Sequence, residues 1–597
     1  MKLSDCVASF LANHGVRHVF AISGGASLHL IHSIAEVDGV EYICPQHEQA
    51  GAMAADAYSR ASGEIGCALA TSGPGATNLI TGIASAYYDS VPMLFLTGNV
   101  ATFRSKGDTG VRQIGFQETD FVEMCRTITN YAVLVNEPYK TLYEFEKALY
   151  LARKGRPGPV IVDIPDDLQR MDIDPEKMEH FIALDECIPK DADLSKDIDS
   201  VIACLRTADR PVLILGWGIH LAQIEDQTRV LVDALDIPVV MTWAAVDLLP
   251  GDHPCNFGGF GTHGVRYANF VVQNADFILS IGSRLDTKAT GSPPSSFARE
   301  AKIAMVEIDP SEIQKFRKLG RNIDISIAAD ARDFVPQLLQ RLSSEKLPSV
   351  SRWLELAGEW KLKYPACLPG YSQEMLLNPY YMVEILSRLS KEDELIVSET
   401  GCALAWMMQG FRFKKGQRFF HAFNYTPMGY GLPAAIGAAF AFPGKRVLCV
   451  AGDGSLQMNI QELVTVIRHN LPIKILLINN HGHSMVQQTQ EMWLDGKYYA
   501  TTVEGGLAFP DFLRVADAYG FPTDTVALNS EIEDKLTKAL ESPGPFFLNL
   551  EIEATHRVIP QVQFGRPNED TGPLLNRDEF LSNMIVKPLA VSLQPNL

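Results

Sequence analysis

Three separate stretches of this sequence alternate short apolar runs with segments of helical period, and a chain patterned that way has few folds open to it. An apolar run of four to eight residues between glycines and prolines reads as a strand buried on both faces. Strands joined through helices must run parallel, because only a crossover can bring the chain back to the same edge. The first stretch carries HVFAI, EYICP, GCALATSG, VPMLFLTG and PVIVDIP; the second RPVLILGWG, DFILSIGS and KIAMVEID; the third ELIVSETG, RVLCVAGDG and IKILLINN. The expected class is α/β, with open parallel-sheet domains at 1–175, 190–345 and 355–555. A polar segment (DPEKMEHFIALDECIPKDADLSKD) and SSEKLPSVSR separate them. The Pro-rich tail 556–597 is expected to wrap over a neighbouring domain.

Composition narrows the function. The chain has 597 residues, 46% of them hydrophobic and 21% charged, with a net charge of −19. That acidity gives no general pull toward nucleic acid or anionic membrane, so neither is expected as a partner. Any bound phosphate must rest on a metal or on main-chain N–H groups. The ten cysteines form no CxxC pair, and Cys67 and Cys449 sit in apolar runs, which suits buried free thiols. The start has helical spacing rather than a leader's pattern, and no apolar run reaches 18 residues, so a cytoplasmic protein is expected.

In open α/β sheets, ligands bind beyond the carboxyl ends of the strands. Asp453 lies just past RVLCVAG, and Asn479 and Asn480 end KILLINN. A helix is expected to begin near Asn459, with Ile460, Leu463, Val464 and Ile467 on one face. The crossover then brings Asp453 and Asn480 to one sheet edge. Alone, Asp-Gly is a turn and Asn-Asn a strand end. Together, one carboxylate and one amide oxygen form a sparse set of the kind Mg²⁺ accepts when phosphate and water complete its octahedron. Gly452 and Gly454 let a pyrophosphate approach the backbone, and a helix start favours it.

GDGS followed about 26 residues later by NN resembles the diphosphate-binding motif of thiamine diphosphate (ThDP) enzymes. The resemblance implies metal ligands Asp453, Asn480 and the main chain of Gly482, with Ser455 beside the cofactor. It also implies a Glu that activates the aminopyrimidine, matched by Glu48 in EYICPQHEQAGAMAADAYSRASG, with ATSGPGATN after the next strand. Glu48 alone is commonplace in a first helical turn. Because Glu48 and Asp453 fall in different domains, the resemblance places the cofactor between the first and third domains of two subunits, in a homodimer or homotetramer.

Nearly the whole chain resembles acetolactate synthase catalytic subunits. VFAISGGASLHLIHSI matches a cofactor-proximal loop at Gly24, Gly25 and Ala26; GFQETD supplies Phe116 and Gln117; and Met428 aligns with the residue that props ThDP. The middle domain resembles an FAD-binding domain. The positions carried over are Arg156, Gly216, Gly218, Arg284, Asp286, Glu307, Ile308 and Asp330, with FAD in a non-redox role. GGFGTHG contains GxGxxG, but with no preceding apolar strand or clear following helix it is not read as a dinucleotide fingerprint. One departure stands out: Thr489 occupies the place of an acceptor-pocket Trp, and Trp493 lies four residues on. His481 and His483 lie near enough to act as acid or base. The resemblance implies a ThDP- and Mg²⁺-dependent carboligase. Such an enzyme decarboxylates a 2-oxo acid such as pyruvate and transfers the acyl carbanion to a second carbonyl, with Glu48, Gln117, Thr489 and His483 at the reacting side. A small regulatory subunit is implied as a possible partner. Alternatives are a bulkier acceptor such as a nucleotide-linked keto sugar, a decarboxylase or lyase, a flavin-dependent oxidase, and an inactive regulatory paralogue.

Overall fold

The computed structural model describes residues 1–183 and 193–594; part of the acidic linker and the last three residues lie outside that range. Three six-stranded sheets are present, every pairing within them parallel. The first contains β1 His18–Ala21, β2 Glu41–Ile43, β3 Gly66–Ala70, β4 Met93–Asn99, β5 Tyr131–Leu134 and β6 Pro159–Pro165, in the order β2-β1-β3-β4-β6-β5. The second contains β7 Pro211–Leu215, β8 Val239–Met241, β9 Asn256–Gly259, β10 Phe277–Ile281, β11 Lys302–Glu307 and β12 Ile325–Ala328, ordered β12-β11-β10-β7-β8-β9. The third contains β13 Leu395–Ser398, β14 Arg418–Phe420, β15 Val447–Gly452, β16 Ile473–Asn479, β17 Thr523–Val526 and β18 Phe546–Glu551, ordered β14-β13-β15-β16-β18-β17.

The first and third sheets thus share one topology, reversing direction between their first and third strands. The second has the doubly wound dinucleotide-fold order, reversing between β7 and β10. Central strands such as β3, β4, β7, β10 and β16 are buried at every position, as their unbroken apolar runs require.

Two helices fix the first domain onto the third. Glu48–Ser62 and Gly431–Ala441 are both rich in Ala and Gly, and they cross closely enough that a Cβ at Gly437 would collide with the carbonyl oxygen of Ala54. Beside them Arg60, fully covered, donates to Asp56 at 2.7 Å and to Asp89 at 2.8 Å, and Tyr430 of the third domain donates to Asp56 at 2.5 Å.

The tail does lie over a neighbour. It forms a small antiparallel pair, β19 Gln561–Val562 with β20 Thr571–Gly572, against the middle domain. Arg299 pairs with Glu569 at 2.8 Å, Arg266 donates to the carbonyl of Pro573, and Asn568 donates to that of Ala289.

Two sequence expectations are corrected. The helix after β15 begins at Asp453, not near Asn459: it runs Asp453–Leu456, tightens into a 3-10 stretch Gln457–Glu462 and continues as Leu463–Arg468. Asn459 is the kink, at φ −134°, and Val464 points outward, so the four apolar residues do not share one buried face. GGFGTHG does follow a strand and precede a helix, β9 and Arg266–Gln273. Its glycines serve close packing, since a Cβ at Gly261 would strike the main chain of Lys288. Six of the nine described cysteines, Cys67 and Cys449 among them, are buried free thiols, while Cys44 is exposed.

Two outcomes test this packing. Gly437→Val should destabilise the protein by about 1–3 kcal/mol or more in urea unfolding, because the added branch must displace backbone. Asp163, held by Thr97 and Asn99 on β4, has its carboxyl pushed up to about 7 by burial. A carboxyl raised above its unfolded value of 3.8 contributes stability below that value and loses it as pH rises through 7. Asp163→Asn should therefore flatten the fall in unfolding free energy between pH 4 and 8.

Candidate active site

The turn after β15 is built around one carboxylate. Asp453 is 2% exposed; its Oδ1 accepts from the N–H of Gly454 at 2.6 Å, and its Oδ2 accepts from those of Asn480 at 3.1 Å and Gly482 at 3.3 Å. Burial pushes its carboxyl up to about 6, so a cation that holds the ionised form is favoured there. Asn480 donates its amide N–H to Ser484 Oγ at 2.7 Å, which leaves Oδ1 as its free ligating atom. A Cβ at Gly482 would meet Gln487 and the carbonyl of Thr501. The crossover thus brings Asp453, Asn480 and Gly482 together as the motif spacing implies.

These residues line a cavity of about 660 Å³, together with Gly452, Gly454, Ser455, Met428 and His483. The helix Cys402–Gly410 opens on it, with Thr400, Gly401 and Ala403 on the wall. A Cβ at Gly452 would meet nothing within 4 Å, so its main chain faces open space. Two helix starts, an open glycine backbone and three hard oxygen donors fit a diphosphate carried on Mg²⁺. Among the described residues no cluster of three His, Cys, Asp or Glu offers a rival metal site. Glu399, fully buried, accepts from Gly431 N–H at 2.6 Å, and burial pushes its carboxyl up to about 7.

A second set gathers at the carboxyl ends of β1 and β3. Glu48 begins its helix, and Asn78 donates to its Oε2 at 2.9 Å. Gly24 and Gly75 both abut Thr71, and the N–H of Ala26 donates to Thr71 Oγ1. Gln117, at φ +63°, packs on Gly73, while Phe116 is 84% exposed. A Cβ at Gly25 would meet nothing within 4 Å. None of these residues lines the cavity around Asp453.

A second cavity, of about 140 Å³, sits where the middle sheet reverses. Arg156, Gly218, Arg284, Asp286, Glu307, Ile308 and Asp330 all line it. Gly216 does not; a Cβ there would collide with Gly282, so it is a packing glycine. Arg156 already pairs with Asp309 at 3.1 Å and Glu312 at 2.8 Å. Burial raises the Glu307 carboxyl. This cavity and the 660 Å³ one share Tyr88, Trp243, Arg284, Asp286, Lys288, Phe423 and Asn424, so they adjoin.

Other predicted residues stand apart. Thr489 donates to the carbonyl of Met485 and is absent from the cavity wall. His481 pairs with Glu551 at 3.0 Å outside it, and Trp493 is exposed against Phe564. His483 stays on the wall with its ring beside Gly454, and burial lowers its pKa. The sequence reading missed Lys288 and His263. Lys288 lines both adjoining cavities, and burial lowers its pKa. His263 is 4% exposed, neither ring nitrogen has a partner, and burial pushes its pKa down to about 3, with the Lys288 charge adding to that. Trp243, in edge contact with it, has an unpartnered Nε1. The only signal in the sequence was a Lys and a His inside glycine-rich loops after strands.

Comparison with protein-family models agrees with this geometry. The N-terminal, central and C-terminal domain models of thiamine pyrophosphate enzymes match residues 1–124, 198–338 and 399–550. The chain therefore belongs to the thiamine pyrophosphate enzyme family. Within it, the chain is 34% identical to the acetolactate synthase isozyme 3 large subunit of Escherichia coli, over 95% of this chain and 97% of the relative. It is also 34% identical to chloroplastic acetolactate synthase 2 of Zea mays, over 95% and 88%, and 32% to the acetolactate synthase large subunit of Pyropia yezoensis, over 94% and 93%.

Gly482→Val should leave the fold intact but reduce Mg²⁺–ThDP affinity by about 10–100-fold in a fluorescence titration, because the added side chain displaces the loop that carries Asn480.

Proposed function

We propose that this protein is a ThDP- and Mg²⁺-dependent carboligase of the acetolactate synthase type, which decarboxylates a 2-oxo acid and joins the remaining acyl unit to a second carbonyl. The observation that carries the reading is the Asp453–Asn480–Gly482 oxygen set beneath two helix starts in one large cavity. Bound ThDP supplies the carbon nucleophile and the electron sink for loss of CO₂. Asp453 Oδ, Asn480 Oδ1 and the Gly482 carbonyl hold the metal, and the Gly452–Ser455 turn takes the diphosphate. Met428, on the cavity wall beside Gly454, would support the cofactor. Glu48 holds the proton at the pyrimidine ring nitrogen, with Asn78 fixing its carboxylate.

Glu48 and Gln117 lie away from the Asp453 cavity of their own chain, which supports a homodimer in which each chain completes the other's site; a tetramer would pair two such dimers. The 140 Å³ cavity fits one end of FAD, with Gly218, Arg284, Asp286, Glu307, Ile308 and Asp330 around it, in a role without redox change. The domain limits near 175, 190, 345, 355 and 555 are part of the same reading. So is a small-subunit partner, which the relatives' designation as large subunits suggests.

Lys288 is a cation on the cavity wall for a substrate carboxylate, and His483 is a titratable ring beside the Gly452–Ser455 turn. A second reading, a larger hydroxylated acceptor, is favoured by the surplus of free donors and acceptors on Trp243 and His263 beside Lys288. Product analysis with pyruvate, ThDP, Mg²⁺ and FAD separates the two. Acetolactate from pyruvate alone supports the first reading; product formed only after a keto sugar is added supports the second.

Glu48→Gln should fold and bind Mg²⁺–ThDP while losing about 10²–10⁴-fold in turnover, and wild-type turnover in that variant would refute the assignment. Asp453→Ala should instead lose cofactor affinity. Lys288→Met should raise KM for the 2-oxo acid with little change in ThDP affinity.

A further inference from the structure

Residues 453–468 form one helical segment kinked at Asn459, and its far end reaches the first domain. Glu462 is fully buried, and its Oε1 accepts from the main-chain N–H of Gln46 at 2.8 Å. Its other oxygen accepts from Thr465 Oγ1 at 2.8 Å, which fixes the carboxyl plane. Gln46 and His47 are the last two residues before Glu48, the first residue of its helix. The first N–H groups around a helix start have no partners within the helix and must find them elsewhere. His47 meets part of this need by accepting the Gln49 N–H on its ring, at 3.1 Å. Glu462 meets the next part from a different domain.

Asn459, in the same segment, donates to the carbonyl of Gly429 at 2.7 Å, the residue after Met428. The segment that starts at the metal ligand therefore also steadies the cofactor prop and the approach to Glu48. Burial pushes the Glu462 carboxyl up to about 7, and either of its protonation states offers Oε1 as an acceptor to Gln46.

We propose that Glu462 is the positioning residue for Glu48 of the same chain: by holding the Gln46 N–H two residues before it, Glu462 sets where the Glu48 carboxylate points. This rests on the assignment of Glu48 to the pyrimidine nitrogen. Glu462 touches neither substrate nor cofactor on this account, so its loss should leave cofactor and substrate binding in place and misplace only the activating acid.

The test uses full-length protein and compares Glu462→Ala, Glu462→Gln and Glu48→Gln. Amide hydrogen exchange read by mass spectrometry, without cofactors, should show faster exchange over residues 44–50 in Glu462→Ala and near-native protection in Glu462→Gln, which keeps one acceptor in place. In holoenzyme, Glu462→Ala should lower kcat about 10²-fold, as expected when a catalytic group is misplaced by about 1 Å. KM and Mg²⁺–ThDP affinity should stay within about threefold, and Glu462→Gln should restore most of kcat. If Glu462→Ala does not fold, Glu462→Asp, whose shorter chain withdraws the acceptor, replaces it with the same expectations. Unchanged exchange with unchanged kcat would overturn the proposal. So would a loss of cofactor affinity in step with kcat, which marks a merely structural role. Wild-type turnover in Glu48→Gln would instead fault the functional assignment itself, so the two failures are distinguishable.

Discussion

The architecture depends on two small-residue helices lying against each other, Glu48–Ser62 from the first domain and Gly431–Ala441 from the third. Their Ala and Gly surfaces let backbones approach more closely than larger side chains would allow, which fixes two sheets of the same topology in one orientation. The Arg60–Asp56–Asp89 cluster with Tyr430 closes the contact. A buried ion cluster of this kind adds little net stability against an apolar substitute, but breaking one partner leaves an uncompensated charge. Its effect is therefore to penalise other registers of the two domains.

With that contact set, the site elements fall at the carboxyl ends of strands at or next to the point where each sheet reverses direction. Asp453 follows β15, Thr400 follows β13 and Asn480 follows β16; Glu48 follows β2 and the Gly73–Gly75 turn follows β3; the 140 Å³ cavity sits between β7 and β10. Sheet order thus decides where loops of unlike sequence can meet. Residue chemistry then decides what each meeting point holds: oxygen donors at one, a lone carboxylate at another, and a lysine shared by two cavities beside a buried, unpartnered histidine.

Much of this was legible in the sequence because it is local. Asp453 and Asn480 are joined by a single crossover, so strand, helix and strand suffice to bring them together. The three sheets were legible because their central strands are apolar throughout. Short, incompletely buried edge strands such as β5, β12 and β17 carry no such signal. The helix start at Asp453 was misplaced because Asp-Gly is also a turn sequence, and only the fold shows that the helix begins at that residue and bends at Asn459. Lys288 and His263 escaped notice because their meeting depends on loops from different crossovers, joined by the Thr262 N–H donating to the Lys288 carbonyl at 2.8 Å. Glu399 and Glu462 read as ordinary charged residues, since nothing in a sequence marks a glutamate that will be wholly buried.

The reach of Glu462 into the first domain bears on how defects would combine genetically. In the proposed dimer, a chain lacking Glu48 and a chain lacking Asp453 complement each other, because one of the two sites in a mixed pair draws both residues from intact sources. Glu462 stands in the same segment as Asp453, and a map of the chain would group it with the metal-binding lesions. Its contact with Gln46 places it instead with Glu48: co-expressed with an Asp453 mutant it would restore activity, and co-expressed with a Glu48 mutant it would not.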